Sequence, residues 1–173
     1  MPLHYEAWCQ ALGEQGCDFP EPLFYRLGGT PTPKIVEYLN QLHGSQLPVD
    51  ATVHRKEMLF LDRLSRIRPI DPVVHIVRSH HGRIPMAIVS GGLRSLVTRT
   101  LEVLGLSEHF ELLITAEDVV RGKPDPEPFL MAAARLGVRP ERCLVFEDSP
   151  TGVAAARAAG MQFVLIEAPA VEL

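Results

Sequence analysis

The sequence predicts an α/β protein: a Rossmann-like parallel sheet with helices on both faces, preceded by a small, wholly helical cap. Three observations carry this. Four short apolar runs, at 86–89, 112–114, 143–146 and 163–166, alternate with helical stretches in the later part of the chain. The earlier part has helical periodicity and no strand-like run. The change falls near Pro69, which divides the chain into 1–68 and 69–173.

In the first part, Leu3, Ala7, Trp8, Ala11 and Leu12 recur at helical spacing until Gly16 stops the pattern. Pro20 and Pro22 open a short helix. Ile35, Leu39 and Leu42 repeat the stripe up to Gly44, and Met58, Leu59, Leu61 and Leu64 build another helix. In the second part, Asp71 before Pro72 and Asp125 before Pro126 carry the signature of an N-cap followed by a first-turn proline. Helices are expected over 72–81, 93–104, 126–136 and 151–159. The runs between them are apolar throughout, as parallel strands buried on both faces should be.

Composition narrows the function. Of 173 residues, 46% are hydrophobic and 22% charged, with a net charge of -4. No basic cluster appears, so nucleic acid is not an expected partner. No apolar run is long enough to span a bilayer, and the first residues lack the pattern of a secretory signal. No membrane contact is therefore expected, the expected compartment is the cytoplasm, and the expected state is a monomer or weak homo-oligomer. Cys9, Cys17 and Cys143 have no CxxC spacing and suggest neither a disulfide framework nor a zinc site. His80 and His81 are adjacent and face different ways, which makes a poor metal pair.

Open parallel sheets bind ligands at the carboxyl ends of their strands. The first run ends in Ser90-Gly91-Gly92 before a helix, where a hydroxyl and bare amides can hold phosphate, or simply cap a turn. The third ends in Glu147-Asp148-Ser149. A strand-end carboxylate beside a phosphate suits a hard cation such as Mg²⁺, although Asp148 or Ser149 could instead cap the following helix. Between them, Lys123 sits in Gly122-Lys123-Pro124-Asp125-Pro126, a stiffened loop that suits a fixed cation for an anionic ligand.

In order, spacing and strand context these segments resemble the haloacid dehalogenase superfamily, in the branch with a helical cap near the N-terminus. Ile88-Val89-Ser90-Gly91 resembles that family's second motif. Gly122-Lys123-Pro124-Asp125-Pro126 resembles the third, and Val145 through Gly152 the fourth. The resemblance implies a Mg²⁺-dependent phosphoric monoester hydrolase working through an aspartyl-phosphate. It also implies catalytic roles for Ser90 and Lys123: Ser90 and the Gly91 amide hold the phosphoryl group, and Lys123 balances its charge. By the same resemblance Asp148, with Glu147, holds Mg²⁺. Residues 4–8 and the turn Gly28-Gly29-Thr30-Pro31-Thr32 are similar to the cap of β-phosphoglucomutase-like and fructose-1-phosphatase-like members. His4, Thr30 and Thr32 are thus candidate substrate contacts, with Thr32 as a helix N-cap the alternative.

In that family a first strand ends in a DxDGT-like segment whose first aspartate attacks phosphorus. No Asp-x-Asp pair occurs among these residues, and Glu6, Glu14 and Asp18 lie on or beside the first cap helix. The expectation is that the nucleophile and a central strand are missing, Met1 being an internal or mis-assigned start. That strand belongs between the runs ending at Ser90 and Glu147. Without it, either the two runs pair directly, or another segment such as 168–173 fills the gap, or they stand apart. Three functions stay open: a phosphatase for a small phosphorylated metabolite, a sugar-phosphate mutase, and a non-catalytic phosphate-binding protein. A mutase needs a cap that grips phosphate. The turn here has Arg26 and Lys34 as its nearby cations, and the phosphatase acting on a sugar phosphate is favoured.

Overall fold

Helix α1 (Pro2–Gly13) lies along α4 (Val49–Leu61), with Ala7 and Ala11 of α1 buried against Leu59 and Phe60 of α4. Small residues on one partner let the two helices approach closely. The computed structural model describes residues 1–166 of the chain. Helices α2 (Glu21–Arg26) and α3 (Thr32–His43) complete the first unit. Its core gathers Trp8 and Leu12 from α1, Phe24 from α2, and Ile35, Val36 and Leu39 from α3. Phe19, in the connection before α2, meets the Trp8 ring edge-on at 5.7 Å.

Two expectations in this unit need correction. Helix α4 starts at Val49, well before the apolar group around Met58. Its early buried positions are Thr52 and Lys56, so a hydrophobic pattern cannot show them. Leu42 and Met58 are 51% and 42% exposed and lie off the core face.

The second unit alternates as expected: α5 (Asp71–His80), β1 (Ala87–Val89), α6 (Arg94–Leu104), β2 (Leu112–Ile114), α7 (Glu127–Leu136), β3 (Leu144–Glu147), α8 (Pro150–Ala158) and β4 (Gln162–Leu165). Strands β1 and β2 pair in parallel with Val89 opposite Ile114, and β3 and β4 pair in parallel with Glu147 opposite Leu165. Val77 of α5 and Leu101 of α6 pack with Ile88 and Leu113 on one face of the first pair. Helix α7 packs on β1, on β2 and on α8, and so ties the two pairs together. Phe129 and Ala133 of α7 meet Ala155 and Ala156 of α8.

Among the described residues there are thus two separate two-stranded sheets. Strands β1 and β3 do not close up on each other, contrary to one outcome expected for this chain. Residues 168–173, the other expected filler, lie outside the described residues. The strands are also less buried than a doubly covered sheet would make them. Leu144 and Leu165 are 52% and 59% exposed, because each sheet is only two strands wide. Of the helix-start signals, Asp125 accepts the Glu127 amide at 2.9 Å, whereas Asp71 is itself the first residue of α5 and makes no side-chain cap. No described helix is long and apolar enough to cross a membrane.

Candidate active site

The backbone beyond β1 continues the ladder by one bond, Ser90 N–H to the Ile114 carbonyl at 2.8 Å, before turning into α6. Ser90 Oγ accepts the Gly92 amide at 3.1 Å, so the hydroxyl does shape the turn. The Gly91 amide enters none of the hydrogen bonds among the described residues, which leaves it available to an anion.

At the end of β3, Glu147 turns its carboxylate onto the first turn of α8. Its Oε2 accepts the amides of Asp148 (2.8 Å) and Ser149 (3.0 Å) and the Ser149 hydroxyl (3.0 Å). Ser149 in turn caps α8, its Oγ accepting the Gly152 amide at 3.1 Å. The other carboxylate oxygen, Oε1, takes the Lys123 ammonium, which also donates to the Val89 carbonyl at 3.0 Å. Lys123 and Glu147 are 7% and 8% exposed, and the Lys123 ammonium lies 5.0 Å from the Phe129 ring centre. Burial pushes the Glu147 carboxyl up, but the charge and hydrogen bond of Lys123, with the Ser149 donors, outweigh it and hold it below its ordinary value. Glu147 is therefore ionised, with both of its carboxylate oxygens already accepting hydrogen bonds.

Asp148 differs. No other side chain of the described residues donates a hydrogen bond to it, and burial, then the charge of Glu147, raises its pKa, with the Met1 ammonium, its own backbone amide and Lys123 opposing. A half-buried carboxylate with no side-chain donor, beside a second negative charge, fits a hard cation completed by water and phosphate oxygens. Among the described residues no cluster of three or more His, Cys, Asp or Glu gathers.

These residues open into a cleft of about 370 Å³ between the two units, walled by Ile88 and Val89 on one side and Phe146 on the other. Ser90, Gly91, Lys123, Glu147 and Asp148 form its floor, and the sequence-chosen His4, Thr30 and Thr32 line the cap side. His4 stacks on Phe60 with ring centres 3.8 Å apart, and its shielded Nδ1 has no partner among the described residues. Burial, then the charge of Lys56, drives its pKa well below the ordinary value, so the ring is neutral at pH 7.

Sequence reasoning missed Lys56. Its side chain lines the same cleft, is 4% exposed, and holds its ammonium 5.7 Å from the ring centres of Trp8 and Phe60. It makes no ion pair with the described residues. Burial pulls its pKa down to about 8, with Glu57 opposing. Helical spacing run back from Leu59 and Phe60 passes through Lys56 and Thr52, but neither is apolar, so the hydrophobic pattern gives no signal there.

The fold is a helical cap on an α/β core, and the chain belongs to the haloacid dehalogenase-like hydrolases, whose family pattern matches residues 1–160. Among individual proteins, it is 37% identical over 164 residues to the fructose-1-phosphate phosphatase YqaB of Escherichia coli K12, covering 94% of this chain and 87% of that one. It is 31% identical over 166 residues to a phosphorylated carbohydrates phosphatase of Thermotoga maritima, covering 93% of this chain and 76% of that one. The fold is also that of a β-phosphoglucomutase from Clostridium difficile, with a TM-score of 0.81 at 23% identity, over 96% of this chain and 78% of that one.

Proposed function

We propose that the protein is a Mg²⁺-dependent phosphatase of the cytoplasm acting on a small phosphorylated sugar, with its cap over 1–68 and its core over 69–173. The observation that carries this is the single cleft in which Ser90, Gly91, Lys123 and Asp148 face Lys56, His4 and Thr30. The Ser90 hydroxyl and Gly91 amide hold phosphoryl oxygens, and Lys123, already fixed by Glu147, balances charge that grows on them in the transition state. Asp148, with Glu147, would hold Mg²⁺, which would supply further charge neutralisation. On the cap, Thr30 and the neutral His4 offer hydrogen bonds to sugar hydroxyls, while Lys56 attracts an anionic or electron-rich part of the substrate. The sugar-phosphatase names of two relatives support the same substrate class.

The chemical step requires a nucleophile that these residues do not offer. We assign it to an aspartate delivered on a strand between β1 and β3, which attacks phosphorus as the bond to the sugar oxygen breaks, leaving an acyl phosphate for water to hydrolyse. The test compares two chains on fructose 1-phosphate and p-nitrophenyl phosphate. The 173 residues alone should show no turnover, and the same chain preceded by an apolar strand ending in Asp-x-Asp should show it. Turnover by the 173 residues that disappears in Lys123→Ala would overturn the aspartyl-phosphate route. Lys56 also favours a second reading, because it places a second cation opposite Lys123 as a sugar bisphosphate would need. Phosphorus NMR of the extended chain separates the two: free phosphate marks a phosphatase and an isomerised sugar phosphate marks a mutase.

A further inference from the structure

Two contacts between residues 1–68 and 69–166 bear on the cleft. One is apolar: Leu96 of α6 enters the cluster of Ala7, Ala11, Leu59, Phe60 and Leu64. The other is the turn 28–31 seated on three core loops. There the Thr151 hydroxyl of α8 donates to the Gly28 carbonyl. A Cβ at Gly91 would lie 2.6 Å from the Gly29 carbonyl oxygen, and a Cβ at Gly122 would lie 2.9 Å from Pro31 Cγ. Only about 10 Å³ remains in the space bounded by Pro31, Ser90, Gly91 and Gly122.

The polar inventory sharpens this. Among the described residues, the Thr151–Gly28 bond is the one hydrogen bond between 1–68 and 69–166. The ion pairs of the described residues stay within one unit, such as Arg66–Glu6 in the cap and Arg94–Asp118 in the core. The apolar patch is non-directional and tolerates rotation, whereas a hydroxyl–carbonyl bond does not.

We propose that Thr151 is a positioning residue, a latch that holds the cap turn over the phosphate-binding loops, with the Leu96 patch as the pivot about which the cleft opens. Bare backbone at positions 91 and 122 is what lets the turn come within the latch's reach. The inference rests on the phosphatase reading only for what the closed cleft encloses. Losing one neutral hydrogen bond should shift the open-to-closed ratio about fivefold, the equivalent of about 1 kcal/mol. Because the latch is uncharged, that shift should be nearly independent of salt.

Trp8, the only tryptophan, lines the cleft and reports its opening. Acrylamide quenching of Trp8 in the full chain should rise severalfold in Thr151→Val, stay at the native level in Thr151→Ser, and change little between low and high salt. Native-like quenching in Thr151→Val overturns the latch, and so does equal opening in Thr151→Ser, since the hydroxyl would then not matter. If Thr151→Val does not fold, Gly122→Ala decides by pushing Pro31 away without touching α8: raised quenching supports the latch and unchanged quenching overturns it. Inorganic phosphate should lower quenching in the native chain. If it does not while Thr151→Val still opens, the latch stands and the phosphate reading of the cleft falls.

Discussion

Lys123 and Glu147 join the ends of two strands that share no ladder. The Lys123 ammonium reaches the Val89 carbonyl at the end of β1 and the Glu147 carboxylate at the end of β3, with both side chains buried. The floor of the cleft is thus held by an ion pair where a continuous sheet would use backbone bonds. Breaking such a pair from one side leaves an uncompensated buried charge. Glu147→Gln alone should therefore lower stability by about 3–5 kcal/mol in urea unfolding, and Lys123→Met by a similar amount. The double variant should lose clearly less than the two losses combined. Additive losses would show that the two groups do not stabilise each other.

Gly152 gives an independent probe of the same arrangement. The Glu147 carboxyl packs directly on its α-carbon, where any Cβ would overlap it. Gly152→Ala sits inside α8 and should raise helix propensity, yet it should destabilise the chain by about 1–3 kcal/mol through overpacking. A neutral or stabilising result by thermal melting would place the Glu147 carboxylate elsewhere.

Lys56 should cost stability and serve binding. Its pKa falls from 10.5 to about 8 on folding, which corresponds to a penalty on the order of 3 kcal/mol for keeping it charged at pH 7. The sign follows: between about pH 8 and 10.5 the unfolded chain holds a proton that the folded chain has lost, so stability rises with pH across that window. Lys56→Met should be more stable than the native chain at pH 7 by about 1–3 kcal/mol and should lack the alkaline rise. Calorimetry should show weaker sugar-phosphate binding in that variant. A less stable Lys56→Met would mean that the ammonium has a partner in solution.

Much of this was legible beforehand because it depends on local pattern. The stripe Leu3, Ala7, Trp8, Ala11, Leu12 marked α1, and the runs ending at Ser90 and Glu147 marked the ends of β1 and β3, where the cleft floor lies. What escaped was long-range or polar. Lys56 and Thr52 take buried positions of α4, and a hydrophobic period passes over such residues. Glu147 looked like a companion to Asp148, but its partner Lys123 stands 24 positions earlier, and only the folded chain shows that the ammonium claims one oxygen and the α8 turn the other. The contact between Thr151 and Gly28 spans 123 positions and has no local signature at all.

The gap between β1 and β3 makes a prediction about stability. Each unpaired backbone group on the inner edges of these strands costs on the order of 1–3 kcal/mol where water cannot reach it. An added parallel strand would satisfy groups on both sides at once. The chain extended by an apolar strand should therefore melt at a higher temperature and more cooperatively than the 173-residue chain. Coincident melting curves would show that the added strand does not enter the gap.

The packing of α1 along α4 bears on how such a protein can be recombined. Glu14 pairs with Arg55, Gln10 accepts from Arg63 and Glu6 pairs with Arg66, a row of contacts that brings the first turn of α1 beside the segment leading into α5. Residues near the two ends of 1–68 thus lie side by side. Units with adjacent ends can be exchanged between hosts without disturbing the host's own topology. On the proposed function, the cap would bring His4, Thr30 and Lys56 to such an exchange, and the core would keep Ser90, Lys123 and Asp148.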